Sequence, residues 1–400
     1  MKQFINAKED LVTEAVDGLL RTAGGKLARL DGYPHIKVVV RSDWDKSKVA
    51  LVSGGGSGHE PSHAGFVGQG MLTAAVCGDV FASPSVDAVL AGILAVTGEA
   101  GCLLIVKNYT GDRLNFGLAA ERARQFGLKV DMVVVDDDIA LPELPQARGV
   151  AGTLFVHKIA GALAEQGVDL ESVTRAAEQV IDGVISIGMS LDTCTVPGSP
   201  KEDRIEAGKA ELGLGIHGEA GIEQVDYSTA RDAMAMVIDR LAPNMGSGDH
   251  VVLLNNLGGA TPLEMSVLAE ELCRSRIAGQ IKWMVGPAPL MTSLDMQGFS
   301  VSLLPVDAAS EAALVTPVTP TAWTGCLPVS EPHIQPLPDG LKPVAPIASI
   351  DARVEAFLAK CCDILINAEA PLNKLDAQSG DGDTGSTLAG AARALKNALS

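Results

Sequence analysis

Short apolar runs alternate with longer amphipathic segments along most of this chain. Apolar residues recur at helical spacing over 8–23, which predicts a first helix. The apolar runs that follow are separated by glycine-rich turns and indicate buried strands. The predicted strands are Lys37–Val40, Val49–Val52, Leu72–Val76, Cys102–Val106 and Lys129–Val135, and the predicted helices are Ser85–Val96, Leu114–Gln125, 152–165 and 169–184. This alternation predicts an α/β subdomain over residues 1–190 with a largely parallel sheet.

The same alternation resumes after an interruption. Residues 195–225 are rich in glycine, proline and charged side chains. Beyond them, helical patterns lie at 228–241 and 262–273, and apolar runs lie at Val251–Asn255, Ile281–Val285 and Val301–Leu304. We therefore predict a second α/β subdomain over residues 191–316.

The last part of the chain has a different character. Eight of the 21 prolines fall between Pro317 and Pro346, which favours an extended linker over residues 317–348. Helical periodicity returns at Ile350–Leu365 and marks a further segment, 349–400. Fifty residues are too few for a stable domain alone. We expect this segment either to pack on the rest of the chain or to begin a longer domain.

Composition and charge narrow the classes of function. Hydrophobic residues make up 47% of the chain but aromatic residues only 4%, which predicts a core of alanine, valine, leucine and isoleucine. The formal net charge is −18, so neither nucleic acid nor an anionic membrane is expected as a partner. A phosphorylated ligand would need metal ions or backbone amides to offset its charge.

The cysteines and the N-terminus indicate the compartment. The seven cysteines form no CxxC pair, which argues against a disulfide framework or a zinc site and favours a reducing compartment. The first residues lack the apolar core of a signal peptide, and no segment has 18 continuous apolar residues. The sequence therefore predicts a soluble, cytoplasmic protein.

The first candidate site is the glycine-rich run Ser53-Gly54-Gly55-Gly56-Ser57-Gly58-His59-Glu60-Pro61. Its glycines let a ligand approach backbone amides, and His59 adds a titratable group where open α/β sheets bind ligands. The run completes neither the dinucleotide pattern GxGxxG nor a Walker A loop. A tight strand-to-helix turn is the alternative explanation. His63 follows closely and could support the site.

Two further runs carry side chains that could bind a substrate or take part in a reaction. Lys107-Asn108-Tyr109-Thr110-Gly111-Asp112 follows a predicted strand, and Lys107 and Asp112 could each contact a polar substrate. On its own this run is better explained by a helix N-terminus, where the helix dipole favours Asp112. In the run Gly213-Leu214-Gly215-Ile216-His217-Gly218-Glu219, glycines lie on both sides of His217, at 215 and 218. This histidine could act as base, ligand or nucleophile, or be a loop residue with no role.

An acidic, glycine-rich loop near the end of the chain is the fourth candidate. Asp376, Asp381 and Asp383 lie in the run LDAQSGDGDTGST, and hard divalent cations prefer such oxygen ligands. The run does not follow the EF-hand pattern, and Mg²⁺ with a nucleotide phosphate is the better match. An acidic solvent-exposed loop is the alternative. The residues that would offer amides and hydroxyls at a helix start are Thr384, Gly385, Ser386 and Thr387.

Together and in this order, the four runs resemble those of the dihydroxyacetone kinases. The motifs GGGSGHEP, KNYTGD, GLGIHGE and LDAQSGDGDTGST carry the resemblance, and CGDVFASPS (77–85), NNLGG (255–259) and TSLDMQGFS (292–300) fit the same family. The order is similar to that of the single-chain, ATP-dependent form, in which a linker joins a substrate-binding K domain to an all-helical, nucleotide-binding L domain. The resemblance implies that the two α/β subdomains form the K domain and that 349–400 begins the L domain.

The resemblance also implies roles for individual residues. His217 would attach covalently to the ketone carbon of the substrate as a hemiaminal, which adds binding energy for a small molecule and excludes glycerol. His59, with Asp112 beside it, would handle protons as a substrate hydroxyl attacks the γ-phosphorus of ATP. The residues implied to hold the substrate are Gly56, Ser57, Gly58, His59, Ser83, Lys107 and Asp112.

The implied reaction is the phosphorylation of dihydroxyacetone by ATP, and glyceraldehyde or other short ketoses could also react. The three aspartates would hold two Mg²⁺ ions that bridge the ATP phosphates, with 384–387 binding the nucleotide. The family further implies a homodimer. Two alternatives stay open. One is a dihydroxyacetone-binding subunit or sensor that works with a separate phosphoryl donor protein, and the other is an enzyme that splits flavin–adenine dinucleotide into a cyclic nucleotide.

Overall fold

A computed structural model describes residues 3–142, 146–340 and 351–399 of the chain. The chain forms two compact units, Met1–Glu331 and Pro332–Ser400, each of which is described by itself. Within the described residues, the first unit contains two sheets flanked by helices and the second contains helices only. The predicted α/β fold class, followed by an all-α segment, is therefore confirmed.

Six strands form the first sheet. They are β1 (Leu27–Arg29), β2 (Val38–Arg41), β3 (Ala50–Ser57), β4 (Ala74–Val80), β5 (Cys102–Lys107) and β6 (Val130–Val135). Their order is β1–β2–β4–β3–β5–β6, with parallel pairing from β4 to β6 and antiparallel pairing of β1 and β2 at the edge. The carboxyl ends of β3 and β5 therefore lie side by side, as expected for a ligand site in an open sheet.

Five helices cover this sheet. They are α1 (Leu11–Thr22), α2 (Val86–Val96), α3 (Thr110–Gln125), α4 (Thr153–Glu165) and α5 (Leu170–Gly183). Side chains of α2 and α3 share a core cluster with Val52 of β3, whereas side chains of α1, α4 and α5 share another with Leu51. Because successive strand residues point to opposite faces, these helices cover the two sides of the sheet. Both clusters consist mainly of small and branched aliphatic residues, as the composition predicts.

The second sheet has seven strands and a different pairing. They are β7 (Ile185–Ser190), β8 (Lys209–Leu212), β9 (Glu223–Asp226), β10 (His250–Asn256), β11 (Ile281–Ala288), β12 (Gly298–Pro305) and β13 (Cys326–Pro328). The order is β13–β11–β10–β12–β7–β8–β9, and only β10 and β11 pair in parallel. The helices between these strands are α6 (Ala230–Leu241), α7 (Pro262–Cys273) and α8 (Ala308–Val315).

Two predicted boundaries need correction. The boundary after residue 190 assigns β7 to the first subdomain, but β7 pairs with β12 in the second sheet. The predicted linker 317–348 includes β13, which pairs with β11, because the stretch between its prolines still offers a short run of backbone donors. Trp323 in the same stretch is buried. Residues 341–348 of that prediction lie outside the described residues.

The second unit contains α9 (Ala352–Asn367), α10 (Glu369–Asp376) and α11 (Thr384–Leu399) within its described part. Cys362, Ala389 and Ala392 are its buried apolar residues, while Phe357 and Ile364 of α9 are exposed. The helix predicted at Ile350–Leu365 is thus confirmed from Ala352 onward. Among the described helices, none combines the length and the apolar character needed to cross a membrane.

Candidate active site

The glycine-rich run forms the end of a strand, not the tight turn that was the alternative explanation. Gly54, Gly55 and Ser57 continue β3 and pair with β4. A Cβ atom at Gly54 would lie 2.2 Å from the carbonyl oxygen of Val76, so only glycine allows this close approach. Near the carboxyl edge of the sheet, β3 therefore has three successive residues without side chains, 54–56. His59 and Glu60 follow directly beyond it.

His59 is fully buried and held by one hydrogen bond. Its Nδ1 lies 2.8 Å from the carbonyl oxygen of Thr292, which can only accept, so Nδ1 carries the proton. The neutral ring then has its lone pair on Nε2, which is buried and has no partner among the described residues. Burial lowers the pKa of His59 well below its usual value, and the charge of Lys107 lowers it further. The ring is a neutral base.

His217 lies beside His59, although 157 residues lie between them in the sequence. The two ring centroids are 4.8 Å apart in an edge-on arrangement, and the rings of Phe81 and Tyr109 approach His217 to 5.2 and 4.5 Å. The fold therefore brings the first and third candidate runs together. Phe81 also stacks on His59 at 5.2 Å.

Glu219 fixes the orientation of His217. Its Oε1 lies 3.1 Å from Nδ1 of His217, and its Oε2 accepts a hydrogen bond from the backbone N–H of His217 at 2.9 Å. Burial alone would raise the pKa of the Glu219 carboxyl, but the hydrogen bond from the His217 side chain opposes burial, and the pKa is lowered to about 2. Because an ionised carboxylate only accepts, Nδ1 carries the proton, and in the neutral form of the ring Nε2 holds the lone pair of a nucleophile.

Lys107 and Asp112 lie against the glycine-rich strand. A Cβ atom placed on Gly55 would lie 3.2 Å from Oδ2 of Asp112 and 3.7 Å from Nζ of Lys107. Nζ of Lys107 and Oδ1 of Asp112 are both buried without a hydrogen-bond partner among the described residues. Burial lowers the pKa of Lys107, while the Asp112 carboxylate opposes that shift. Asp112 lies in the first turn of α3, so the predicted helix N-terminus is confirmed.

Ser57 and Ser83 border the same region. The Ser57 hydroxyl donates to the carbonyl oxygen of Gly78 at 2.8 Å, so its proton is used within the fold. Ser83 is half-buried, and its hydroxyl accepts from the Asn115 side chain at 3.3 Å. A Cβ atom on Gly111 would lie 3.2 Å from Cβ of Ser83, which places Ser83 at the start of α3 close to Asp112.

The segment 292–297 completes the site from the second sheet. The backbone N–H of Leu294 donates to the carbonyl oxygen of Gly58 at 2.8 Å, and that of Thr292 donates to the carbonyl oxygen of His59 at 3.2 Å. Gly258 has φ +121°, and a Cβ atom there would lie 1.9 Å from the carbonyl oxygen of Leu294. This glycine therefore allows the segment to reach His59.

Replacing Gly258 by alanine is expected to destabilise the fold and displace His59. The new methyl group meets backbone, and alanine disfavours a positive φ, so we expect a loss of about 2 kcal/mol or more in the free energy of unfolding. Urea denaturation measures this loss. Gly279→Ala is the control, because no atom lies within 4 Å of its Cβ position. Equal stability of the two variants would contradict the argument.

The site includes residues that sequence reasoning did not single out. Glu219, Tyr109 and Phe81 each lie within one of the motifs, but the sequence indicates no role for them. The signal for Glu219 is its position two residues after His217 in a glycine-flanked loop, where a carboxylate can fold back on the ring. Arg148 supports this loop by donating to the carbonyl oxygen of Gly213 at 2.7 Å, and no local pattern predicts such a distant contact.

The second unit holds the acidic candidate site. Single carboxylate oxygens of Asp376, Asp381 and Asp383 all lie within 4.8 Å of one another. The negative charge of Asp381 raises the pKa of Asp383, and a hydrogen bond between the two adds to this shift. Oxygen-only ligands and a concentration of unbalanced negative charge fit a hard divalent cation such as Mg²⁺.

The backbone amides predicted to face a nucleotide are largely used within the unit. Oδ2 of Asp376 accepts from the N–H of Thr384 at 3.4 Å, and Oδ1 of Asn373 accepts from the N–H of Ser386 at 3.0 Å. The N–H of Thr387 donates to the carbonyl oxygen of Asp383 at 2.9 Å. These three amides therefore have partners within the unit, and nucleotide binding by Thr384, Gly385, Ser386 and Thr387 stays a prediction. A Cβ atom on Gly385 would lie 2.0 Å from the carbonyl oxygen of Glu369, so a side chain at this position would clash with the backbone.

Comparison with known proteins places these features in one family. The Dak1 domain matches residues 18–322. The chain is 47% identical to a dihydroxyacetone kinase from Citrobacter freundii, over 99% of this chain and 72% of that protein. It is 43% identical to the dihydroxyacetone-binding subunit of a PTS-dependent dihydroxyacetone kinase from Listeria innocua, over 81% of this chain and 100% of the subunit.

The fold agrees with this assignment. The crystal structure of the C. freundii dihydroxyacetone kinase in complex with AMP-PNP and Mg²⁺ superposes on the chain with a TM-score of 0.85, covering 100% of this chain and 75% of that one at 47% identity. Matches of this extent in both sequence and structure confirm the resemblance carried by the four motifs. The chain is therefore a kinase of the dihydroxyacetone kinase family.

Proposed function

We propose that this protein transfers the γ-phosphoryl group of ATP to a hydroxyl of dihydroxyacetone, which it holds as a hemiaminal on His217. The arrangement of the two histidines carries the proposal. His217 has its Nδ1 occupied by Glu219, and His59 has its Nδ1 occupied by Thr292. In the neutral form of each ring Nε2 is therefore unprotonated, and the two ring centroids lie 4.8 Å apart. One nitrogen can act as a nucleophile while the other acts as a base.

The covalent step follows from the chemistry of a ketone. The lone pair on Nε2 of His217 forms a bond to the carbonyl carbon, and the electron pair of the C=O double bond moves to the oxygen. Over the step as a whole, one proton moves from Nδ1 of the ring to this oxygen by way of Glu219, which is ionised again at the end, so the hemiaminal carries no net charge. No leaving group departs, so the step is reversible. Glycerol has no carbonyl group and cannot react, whereas glyceraldehyde can react by the same step.

His59 and Asp112 are the groups that can accept the proton of the attacking hydroxyl. The unpaired Nε2 of His59 and the unpaired Oδ1 of Asp112 are both buried. A base in a water-excluded site is effective because nothing else competes for the proton. Lys107 supplies the positive charge that can hold a substrate oxygen, and Gly56 and Gly58 stay proposed contacts at the end of β3. Ser57 and Ser83 stay proposed contacts through their hydroxyl oxygens.

Asp376, Asp381 and Asp383 would hold Mg²⁺ for the nucleotide, with the hydroxyls of 384–387 nearby. Mg-ATP supplies the phosphoryl group and the charge neutralisation that phosphoryl transfer requires. The relative crystallised with AMP-PNP and Mg²⁺ supports this assignment. Since the chain carries a net charge of −18, metal ions are the expected means of offsetting the charge of a triphosphate.

A dihydroxyacetone-binding subunit that works with a separate donor protein is the second candidate. The full-length match to the Listeria innocua binding subunit favours it. The two candidates differ in one respect, since only the kinase needs the acidic loop of the second unit. A homodimer also stays a prediction, which light scattering after gel filtration tests.

A coupled assay with Mg-ATP and dihydroxyacetone tests the proposed function. We expect formation of dihydroxyacetone phosphate and ADP, and none with glycerol in place of the ketone. Ketone binding without ADP formation would favour the binding-subunit alternative. Equal turnover of glycerol and dihydroxyacetone would contradict the covalent step, because it would show that no carbonyl group is needed.

Replacing Glu219 by glutamine is expected to weaken ketone binding about 10- to 150-fold, the equivalent of the roughly 1.5–3 kcal/mol of a hydrogen bond to a charged group. Glutamine has the same shape, but its amide can donate to Nδ1 and so leave the proton on Nε2. Calorimetric titration with dihydroxyacetone measures the change. Glu206→Gln is the matched control, because Glu206 is exposed and pairs with Lys209. An unchanged affinity in Glu219→Gln would refute the role of Glu219.

A further inference from the structure

Phe81, just beyond β4, has an unusual backbone conformation and no role in the reaction as described so far. Its φ is +56°, in the left-handed region that favours glycine. Among the described residues, Lys46 and Leu294 are the other non-glycine residues with a positive φ. A bulky residue in this region is strained, and such strain is concentrated at functional sites. Phe81 and Leu294 both lie against the position of the missing Cβ of Gly58, next to His59.

One hydrogen bond and two glycines hold Phe81 in this place. Its backbone N–H donates to the carbonyl oxygen of Ser57 at 2.9 Å. A Cβ atom on Gly56 would lie 2.9 Å from Cα of Phe81, and one on Gly58 would lie 2.7 Å from Cε1 of its ring. Side chains at these two positions would displace Phe81. The glycine-rich run therefore makes room for this residue in addition to forming the end of β3.

The Phe81 ring contacts both histidines of the site. It stacks on His59 with the ring planes 24° apart and meets His217 edge-on at 89°. The centroids of the three rings form a triangle with sides of 5.2, 5.2 and 4.8 Å. Aromatic rings in contact have centroids about 4.5–7 Å apart, so each ring touches the other two. A ketone that is bonded to His217 and within reach of His59 therefore lies close to the Phe81 ring.

The Phe81 ring forms part of the cover over His59. His59 has no solvent exposure, whereas Phe81, which stacks on it, is half-buried. Phe81 also packs against a cluster of buried apolar residues from the second α/β subdomain. The members of this cluster are Cys194, Leu214, Leu257 and Met296. Their contacts support the ring where it meets the two imidazoles, so Phe81 forms a wall of the site.

We propose that Phe81 is a specificity-determining residue whose ring favours a three-carbon ketone over longer ones at His217. This proposal rests on the proposed function, because it concerns the ketone bonded to that histidine. The carbonyl carbon carries one substituent on each side, and both need room beside the three rings. Dihydroxyacetone has a CH₂OH group on each side, so it needs little room. A further carbon brings the substituent against the Phe81 ring, which the two glycines and the apolar cluster hold in place.

Selection by size is separate from the requirement for a carbonyl group. Erythrulose has the same ketone as dihydroxyacetone with one further CHOH group, so it can add to Nε2 of His217 by the same step. The two ketoses therefore differ in size and not in the bond that they form. One carbon more or less in an apolar pocket changes binding by about 10- to 200-fold. We expect the other short ketoses that could react to bind more weakly than dihydroxyacetone by this factor.

Calorimetric titration of the full chain with dihydroxyacetone and with erythrulose, without nucleotide, tests the proposal. In the wild type we expect erythrulose to bind about 10- to 200-fold more weakly than dihydroxyacetone. In Phe81→Ala the two ketoses should bind about equally, because the ring that excludes the further carbon is gone. Phe81→Tyr keeps the ring and should keep the wild-type ratio. Phe126→Ala is the matched control, because Phe126 is exposed.

The outcomes separate this proposal from the proposed function. A wild-type chain that binds neither ketose would overturn both. A wild-type chain that binds the two equally, or a folded Phe81→Ala that keeps the wild-type ratio, would overturn the role of Phe81 alone. A folded Phe81→Ala that binds neither ketose would also overturn it, because the ring would then be needed for binding itself. Thermal melting checks folding, and Phe81→Leu, which keeps an apolar contact with the cluster, serves the same test if Phe81→Ala does not fold.

Discussion

Replacing His59 by asparagine is expected to slow phosphoryl transfer by about 10²- to 10⁴-fold, the usual contribution of a positioned general base. Asparagine can still donate a hydrogen bond to the carbonyl oxygen of Thr292, so the loop should keep its place. It offers no basic nitrogen, however, and the hydroxyl of the substrate loses its proton acceptor. Because His217 is unaltered, the ketone should still bind.

The measurement is kcat and KM for dihydroxyacetone, together with ketone affinity by calorimetry. We expect kcat to fall while the affinity changes little. His333→Asn controls for the substitution, since His333 is exposed. A kcat within a few-fold of the wild-type value would contradict the role of His59 and leave Asp112 as the base.

Replacing Asp381 by asparagine is expected to reduce phosphoryl transfer at least about 10²-fold, because a lost ligand costs several kcal/mol of charge stabilisation in the transition state. The three carboxylates provide one ligand atom each within 4.8 Å of one another, and asparagine removes one negative charge at nearly constant shape. Ketone binding depends on residues of the first unit and should stay unchanged.

Kinase rates over a range of Mg²⁺ concentrations measure this effect, and Glu355→Gln on α9 is the matched control, because Glu355 is exposed. We expect the apparent Mg²⁺ requirement to rise in Asp381→Asn and to stay constant in the control. Full activity of Asp381→Asn at the wild-type Mg²⁺ concentration would refute the metal assignment.

The sequence predicts much of the fold because local patterns determine it. Ser85 was expected to cap the helix that follows, and its side chain accepts a hydrogen bond from the N–H of Ala88. The apolar run Cys102–Val106 corresponds to β5 with one further residue, Lys107. The helix α8 and the strands β1, β7, β8, β9 and β13 were not predicted. Most of them are short, and their stability comes from distant partners.

The strand character of Gly54–Gly56 was predicted incorrectly for a physical reason. Glycine has low strand propensity, so three in succession indicate a turn. In the folded chain, β4 approaches so closely that no Cβ atom fits at Gly54, and the backbone of Phe81 and Ala82 just beyond β4 leaves no room for one at Gly56. Tertiary contact therefore overrides local preference.

Only part of the candidate site could be predicted from the sequence. Motifs identified His59, Lys107, Asp112 and His217, and the fold brings the two histidines together. The sequence could not indicate the proton positions on these rings, because Thr292 and Glu219 determine them through tertiary hydrogen bonds. The packing of Phe81 on both rings likewise depends on three separate segments.

Native mass spectrometry with dihydroxyacetone tests the central claim most directly. The wild-type chain should gain the mass of one dihydroxyacetone per chain, and folded His217→Ala should gain none, with His333→Ala behaving like the wild type. An equal gain in His217→Ala would show that the ketone is held without a bond to this histidine. That result would contradict the account.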